Sequence, residues 1–160
     1  MKKILLIAAV LFSVQSIFAQ QFCTDFHKKN CKLNPDPDYI YNAQSKSGLF
    51  EKGQTSSLRI VGYKGVDYYI NICTQASLGG KVAFKIKDGK TSEVLYDNAT
   101  DNMSQEFDFS CDNSRTLIIE VTIPGDSSGE KDKKTNKLKD VDMACLGVLI
   151  QTRPTPKTGF

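Results

Sequence analysis

Apolar residues recur at every second position through residues 55–123. Strand geometry throws successive side chains to opposite faces, so this period predicts strands rather than helices, whose apolar positions recur at i+3 and i+4. Six short strands are expected. The first covers 58–63 and stops at Lys64-Gly65, where glycine accepts the backbone of a tight turn. The second, 67–74, sets Tyr68, Ile70 and Ile72 against Tyr69, Asn71 and Cys73. In the third, 81–87, Val82, Phe84 and Ile86 oppose Lys81, Lys85 and Lys87. Asp88-Gly89 is a hairpin signal leading to the fourth, 91–96. The fifth, 105–109, turns Phe107 and Phe109 inward. The sixth, 116–123, sets Leu117, Ile119, Val121 and Ile123 against Thr116, Ile118, Glu120 and Thr122, and Pro124-Gly125 ends it.

A seventh strand is expected at 143–151. Both of its faces are apolar, with Cys145, Gly147 and Leu149 on one and Ala144, Leu146, Val148 and Ile150 on the other, which places it centrally. Tyr39 to Tyr41 and Leu49-Phe50 read as brief flanking strands. No long helical pattern separates the turn signals. The expected fold is therefore all-β: a single antiparallel, jelly-roll-like β-sandwich of about seven to eight strands. It occupies residues 55–152, after an N-terminal segment at 20–54. Residues 125–140 mix lysines with acids around a single large aliphatic, Leu138, and read as a mobile charged loop inside the domain. Residues 153–160 read as an extended tail, in which Pro154 and Pro156 forbid continued ladder pairing.

The start of the chain changes the picture. A basic Met1-Lys2-Lys3, an apolar run at 4–14 and Ser16-Ile17-Phe18-Ala19 have the layout of a signal peptide covering residues 1–19. Its apolar run is too short to span a membrane as a helix. A lipoprotein reading through Cys23 meets an obstacle in Phe22, which is bulky where a small residue is needed. Cleavage leaves roughly 140 residues, enough for one domain with a sizeable core. It also removes Lys2 and Lys3 from a chain whose net charge is only +3. A near-neutral mature protein argues against a general nucleic-acid or anionic-membrane role. The expected location is periplasmic or secreted.

In an oxidising compartment the five cysteines pair where geometry allows. Cys23 and Cys31 are close in sequence and are expected to close a small loop. Cys73 and Cys145 each lie within a strand and are expected to bridge two strands, leaving Cys111 unpaired at a turn.

Candidate chemistry is sparse. Cys23-x3-His27-x3-Cys31 has metal-binding residue types, but zinc needs a third or fourth donor that the segment does not supply, so a disulfide-closed loop with a solvated His27 is expected. Asp97 to Asn102 concentrates oxygen donors, and Asp97 and Asp101 are the candidate calcium ligands, against the ordinary turn role of Asp and Asn. Tyr63, Tyr68, Tyr69 and Tyr96 offer an aromatic platform for a glycan or peptide, against ordinary packing in strands. The lysines of 131–139 are nearly cancelled by neighbouring acids, including Asp126, Glu130, Asp132 and Asp140. A nucleophile needs a positioned base, and the only histidine lies outside the strands. No phosphate-binding glycine loop leads a strand into a helix.

The segments 65–70, 81–88, 94–97, 106–109 and 117–121 together resemble the bacterial pre-peptidase C-terminal type of domain, over about half the chain. That resemblance implies a small jelly-roll sandwich of generally non-catalytic character. This chain differs in being freestanding, in its extra cysteines and in its charged insertion, and no functional residue carries over. The reading is an exported, non-catalytic protein that acts through contact with a protein of the cell envelope, as an accessory subunit of an export or surface machine. The alternative is a glycan- or calcium-binding module.

Overall fold

The computed structural model describes residues 23–125 and 143–157. Among these residues a five-residue helix, α1 (Phe26–Asn30), precedes nine strands: β1 (Ile40–Tyr41), β2 (Lys46–Glu51), β3 (Thr55–Gly62), β4 (Val66–Thr74), β5 (Ala83–Asp88), β6 (Val94–Asp97), β7 (Glu106–Cys111), β8 (Arg115–Thr122) and β9 (Met143–Pro154). They form two antiparallel sheets. In the first, β9 is flanked on one side by β4 and then β7, and on the other by β1 and β2 in succession. The second runs β3-β8-β5-β6. The chain alternates between sheets at almost every connection, as in a jelly roll.

The core lies where the inner faces meet. Tyr68, Ile70, Ile72, Leu146, Val148 and Ile150 come from the first sheet, and Ile60, Phe84, Ile86, Leu117 and Ile119 from the second. The two-residue alternation predicts each of these. The expected sandwich is present, with β1 and β2 adding to the central count.

The division at residue 55 does not hold. β1 and β2 are strands of the first sheet, paired to β9, so the sandwich begins near residue 40. The division at 152 also shifts. β9 continues through Arg153 opposite Asp67 and ends with Pro154 opposite Val66, where the ring sits at a strand terminus and interrupts nothing. Thr155 N–H then donates to the Gly65 carbonyl. The expected signal segment, nearly all of the charged loop and the last three tail residues lie outside the described residues.

The outer face of the first sheet carries a third layer. Cys145, Gly147, Leu149, Gln151 and Arg153 of β9, with Asp67, Tyr69, Asn71 and Cys73 of β4, face residues 23–39. This is why Leu149 and Tyr69 are buried although they point away from the core. It also explains two buried amides. Asn71 Oδ1 accepts from Lys32 N–H at 2.9 Å, and Gln151 Oε1 accepts from Asn34 N–H at 2.8 Å. These side chains satisfy backbone donors of a segment with no ladder of its own.

The cysteine pairing differs from expectation. The bonds are Cys23–Cys145 and Cys31–Cys73, and Cys111 is free and buried. A helical segment advances about 1.5 Å per residue, which spaces Cys23 and Cys31 beyond the roughly 4–7 Å that a disulfide spans. Cys73 stands opposite Gly147, so Cys145 is its diagonal neighbour, about 7–8 Å away and equally out of reach. Each end of the α1 segment therefore reaches down to a different strand.

Candidate functional site

Between α1 and the β1–β2 edge lies a groove of about 720 Å³, lined among others by Asp25, His27, Tyr41, Ser45, Ser47 and Leu49. Gly147 makes it possible. A Cβ there would stand 2.8 Å from His27 Cα and 3.0 Å from Cys73 Sγ, so only glycine lets α1 lie directly on β9.

His27 is buried rather than solvated. Ser47 Oγ accepts its backbone N–H at 2.9 Å and shares a hydrogen bond with Nδ1 at 2.6 Å. Nε2 is bonded to the Tyr41 hydroxyl at 3.1 Å, and the two rings stack. Either neutral tautomer satisfies both ring nitrogens. Sequence reasoning missed this serine, because 20 residues separate it from His27 and only the pairing of β2 with β9 brings it under α1. The hydroxyl acts as a strut between helix and strand.

Burial lowers the His27 pKa from 6.5; Asp25 opposes this, and Lys28 and Lys46 reinforce it. The folded state thus favours neutral imidazole, and the unfolded chain takes up its proton first as pH falls. Stability from this group is complete above pH 6.5, declines as pH drops through that value, and levels off below the depressed folded pKa. Urea denaturation at a series of pH values from about 7.5 to 5.5 should show this slope. His27→Gln should flatten it, and an unchanged slope in that variant would assign the effect elsewhere.

A second cluster pins the N-terminal segment to β9. Arg153 is bonded to Asp36 and, at 3.1 Å, to Asp67, and it stacks over Tyr39. Burial alone would raise the Asp67 carboxyl, but hydrogen bonds from Thr155, Ser110 and Arg153 hold it below the usual range. The extended tail expected from residue 153 is therefore engaged by its own sheet through Thr155.

The other candidate residues are spread apart. Asp97 Oδ1 caps the 3-10 turn Asn98–Thr100 by accepting from Ala99 N–H, and Oδ2 lies 3.0 Å from Lys85 Nζ. Asp101 Oδ2 accepts from the Tyr96 hydroxyl at 2.7 Å. Burial, aided by that carboxylate, pushes the Tyr96 pKa up to about 12. Calcium at this loop would have to displace Lys85 and the tyrosine. The fully buried Asn98 organises the loop, accepting from Phe84 N–H and donating to the carbonyls of Val82 and Ser104. Among the described residues no three His, Cys, Asp or Glu side chains converge to hold a metal. Tyr68 and Tyr69 are buried on opposite faces of β4, whereas Tyr63 is exposed, so the four tyrosines form no platform. Cys111 Sγ donates to the Asn113 carbonyl.

No protein-family model matches the chain, and no curated protein matches it in sequence. Among solved structures it is similar to Aeromonas hydrophila PliG, a periplasmic lysozyme inhibitor of g-type lysozyme, over 76% of this chain and 92% of that one, at 10% identity and a TM-score of 0.44. An overlap this loose leaves function to be read from the chain's own residues. Among the described residues no helix is long and apolar enough to cross a membrane.

Proposed function

We propose that this is an exported, non-catalytic protein that works by contact with another protein of the cell envelope, as an accessory subunit of an export or surface machine. The contact face is the β1–β2 edge with the groove beside it. The observation that carries this is the exposure of two large apolar side chains that line the same groove from the outer face of the sheet: Tyr41 at 45% and Leu49 at 40%. Isolated exposed apolar residues are ordinary, but a cluster beside a groove marks a contact surface. Two disulfides, the His27–Ser47–Tyr41 bonds and the Arg153 cluster fix this edge in advance, so little conformational entropy is lost on binding. Asp25 and Lys28 supply a polar rim around the aromatic anchor Tyr41.

The edge also offers backbone. Among the described residues β2 pairs only with β9, and its far side can take an added strand. The neighbouring edge is guarded differently. The Gln44 side chain accepts from Val61 N–H and donates to the Val61 carbonyl, closing β3 at that point. The disulfides support an oxidising compartment.

The test is a photo-cross-linking amino acid placed at Leu49, with Glu93 at the opposite end of the sandwich as control. A discrete adduct is expected from position 49 alone, competed by unlabelled protein and lost in Tyr41→Ala. Equal adducts from both positions, or an adduct insensitive to Tyr41, would overturn the assignment.

A further inference from the structure

β2 leaves a hole in the sandwich. Lys46, Gly48 and Phe50 share the inner face, opposite Val148, Leu146 and Ala144 of β9. Gly48 contributes no side chain there. The gap is a cavity of about 160 Å³ whose walls include Phe50, Leu58, Ile119, Val121, Leu146 and Val148. It opens between β2 and β3, strands of different sheets that do not pair.

We infer that this cavity takes the alkyl end of a single-chain fatty carboxylate, with the carboxylate on the Lys46 ammonium. Three features point to that chemistry. The deeper walls are aliphatic and aromatic, and a volume of about 160 Å³ accepts about six carbons. Lys46 lines the mouth, is exposed, and has no ion-pair partner among the described residues. Ser56, on the same face of β3 as Leu58, also lines the cavity, so a polar headgroup meets a hydroxyl where the alkyl chain emerges. A charge pointing inward from an edge strand also discourages edge-to-edge pairing, but that role needs no empty volume behind it.

The chain has no Trp to report binding, so methyl NMR of the oxidised protein is the readout, with butanoate, hexanoate, octanoate and decanoate below their micellar concentrations. The methyl signals of Ile119, Val121, Leu146 and Val148 should shift saturably. Affinity should rise about fourfold per methylene and level off once about six carbons are inside. Hexylammonium should bind up to about fivefold more weakly than hexanoate, a difference that Lys46→Met removes. Val148→Leu extends a side chain into the space, and should abolish octanoate shifts while raising Tm by roughly 2–4 °C. Should that variant fold poorly, Gly48→Ala, whose methyl would press on the Phe50 ring at 3.0 Å and displace that wall of the cavity, makes the same test of binding. Absence of saturable shifts, equal binding of the ammonium, or undiminished octanoate binding in a folded filling variant would overturn the inference. The isolated protein is used throughout, so such a result leaves the protein-contact reading to its own experiment.

Discussion

Replacing Cys23 and Cys145 together with alanine is expected to lower the unfolding free energy by about 4–5 kcal/mol, and replacing Cys31 and Cys73 by about 3–4 kcal/mol. The ordering follows from chain entropy. The first bond joins residues 122 positions apart and the second residues 42 apart, so the first removes more freedom from the unfolded chain. The folded state points the same way. A five-residue helix has no stability of its own in water, so α1 persists because both its flanks are tied down. Releasing Cys23 lets the helix start lift from β9, exposing His27 and its partners. Guanidinium denaturation of the two oxidised double-alanine variants measures the difference. Equal losses, or a larger one for the Cys31–Cys73 variant, would show that local packing rather than loop length sets the contribution.

Gly147→Val is expected to cost about 3 kcal/mol or more, and Gly147→Ala about 1–3 kcal/mol. The added carbon meets the α1 backbone itself, 2.8 Å from His27 Cα, and the sulfur of Cys73 at 3.0 Å. Neither can swing aside as a surface side chain would. The bonds at Cys23 and Cys31 prevent α1 from rising to make room, so the clash is met by bending β9, the strand to which β1, β2 and β4 all pair. The glycine is required here for space. Gly65, at a φ of +75°, is required for its backbone conformation and has open room around it. Thermal unfolding should show Tm lower by roughly 10 °C or more for the valine variant. The loss should shrink when Cys23 and Cys145 are also alanine, because α1 is then freer to move. A loss independent of the disulfide would place the strain within the sheet.

The sandwich was legible because alternation is a local signal. Each of Tyr68, Phe84, Ile119 and Val148 declares its face through its immediate neighbours. The two apolar faces of β9 declared its central place. The third layer was not legible. Asn71 and Gln151 read as ordinary polar positions, and only the path of residues 23–39 over them shows that they receive backbone donors. The same path decides the cysteines: sequence proximity favoured Cys23 with Cys31, while the intervening helix forbids it. The groove residues stayed hidden for a related reason, since Ser47 and His27 meet through a strand pairing whose other member lies about a hundred residues downstream. The metal, glycan and nucleophile patterns were read from spacing alone, and spacing without topology said little about which side chains converge.

The nesting of the disulfides sets the order in which the molecule can mature. A chain emerging N-terminus first presents Cys23 and Cys31 together, long before Cys145. Oxidation in order of appearance joins Cys23 to Cys31, the wrong pair. β9 also follows every other described strand, yet β1, β2 and β4 wait for it as their common neighbour. The first sheet therefore cannot close until β9 has emerged, and early thiol pairs must be exchanged when it does. Production in a compartment that oxidises thiols without isomerising them should thus accumulate a soluble, mispaired form whose N-terminal segment is looped on itself and whose sheet face lies bare.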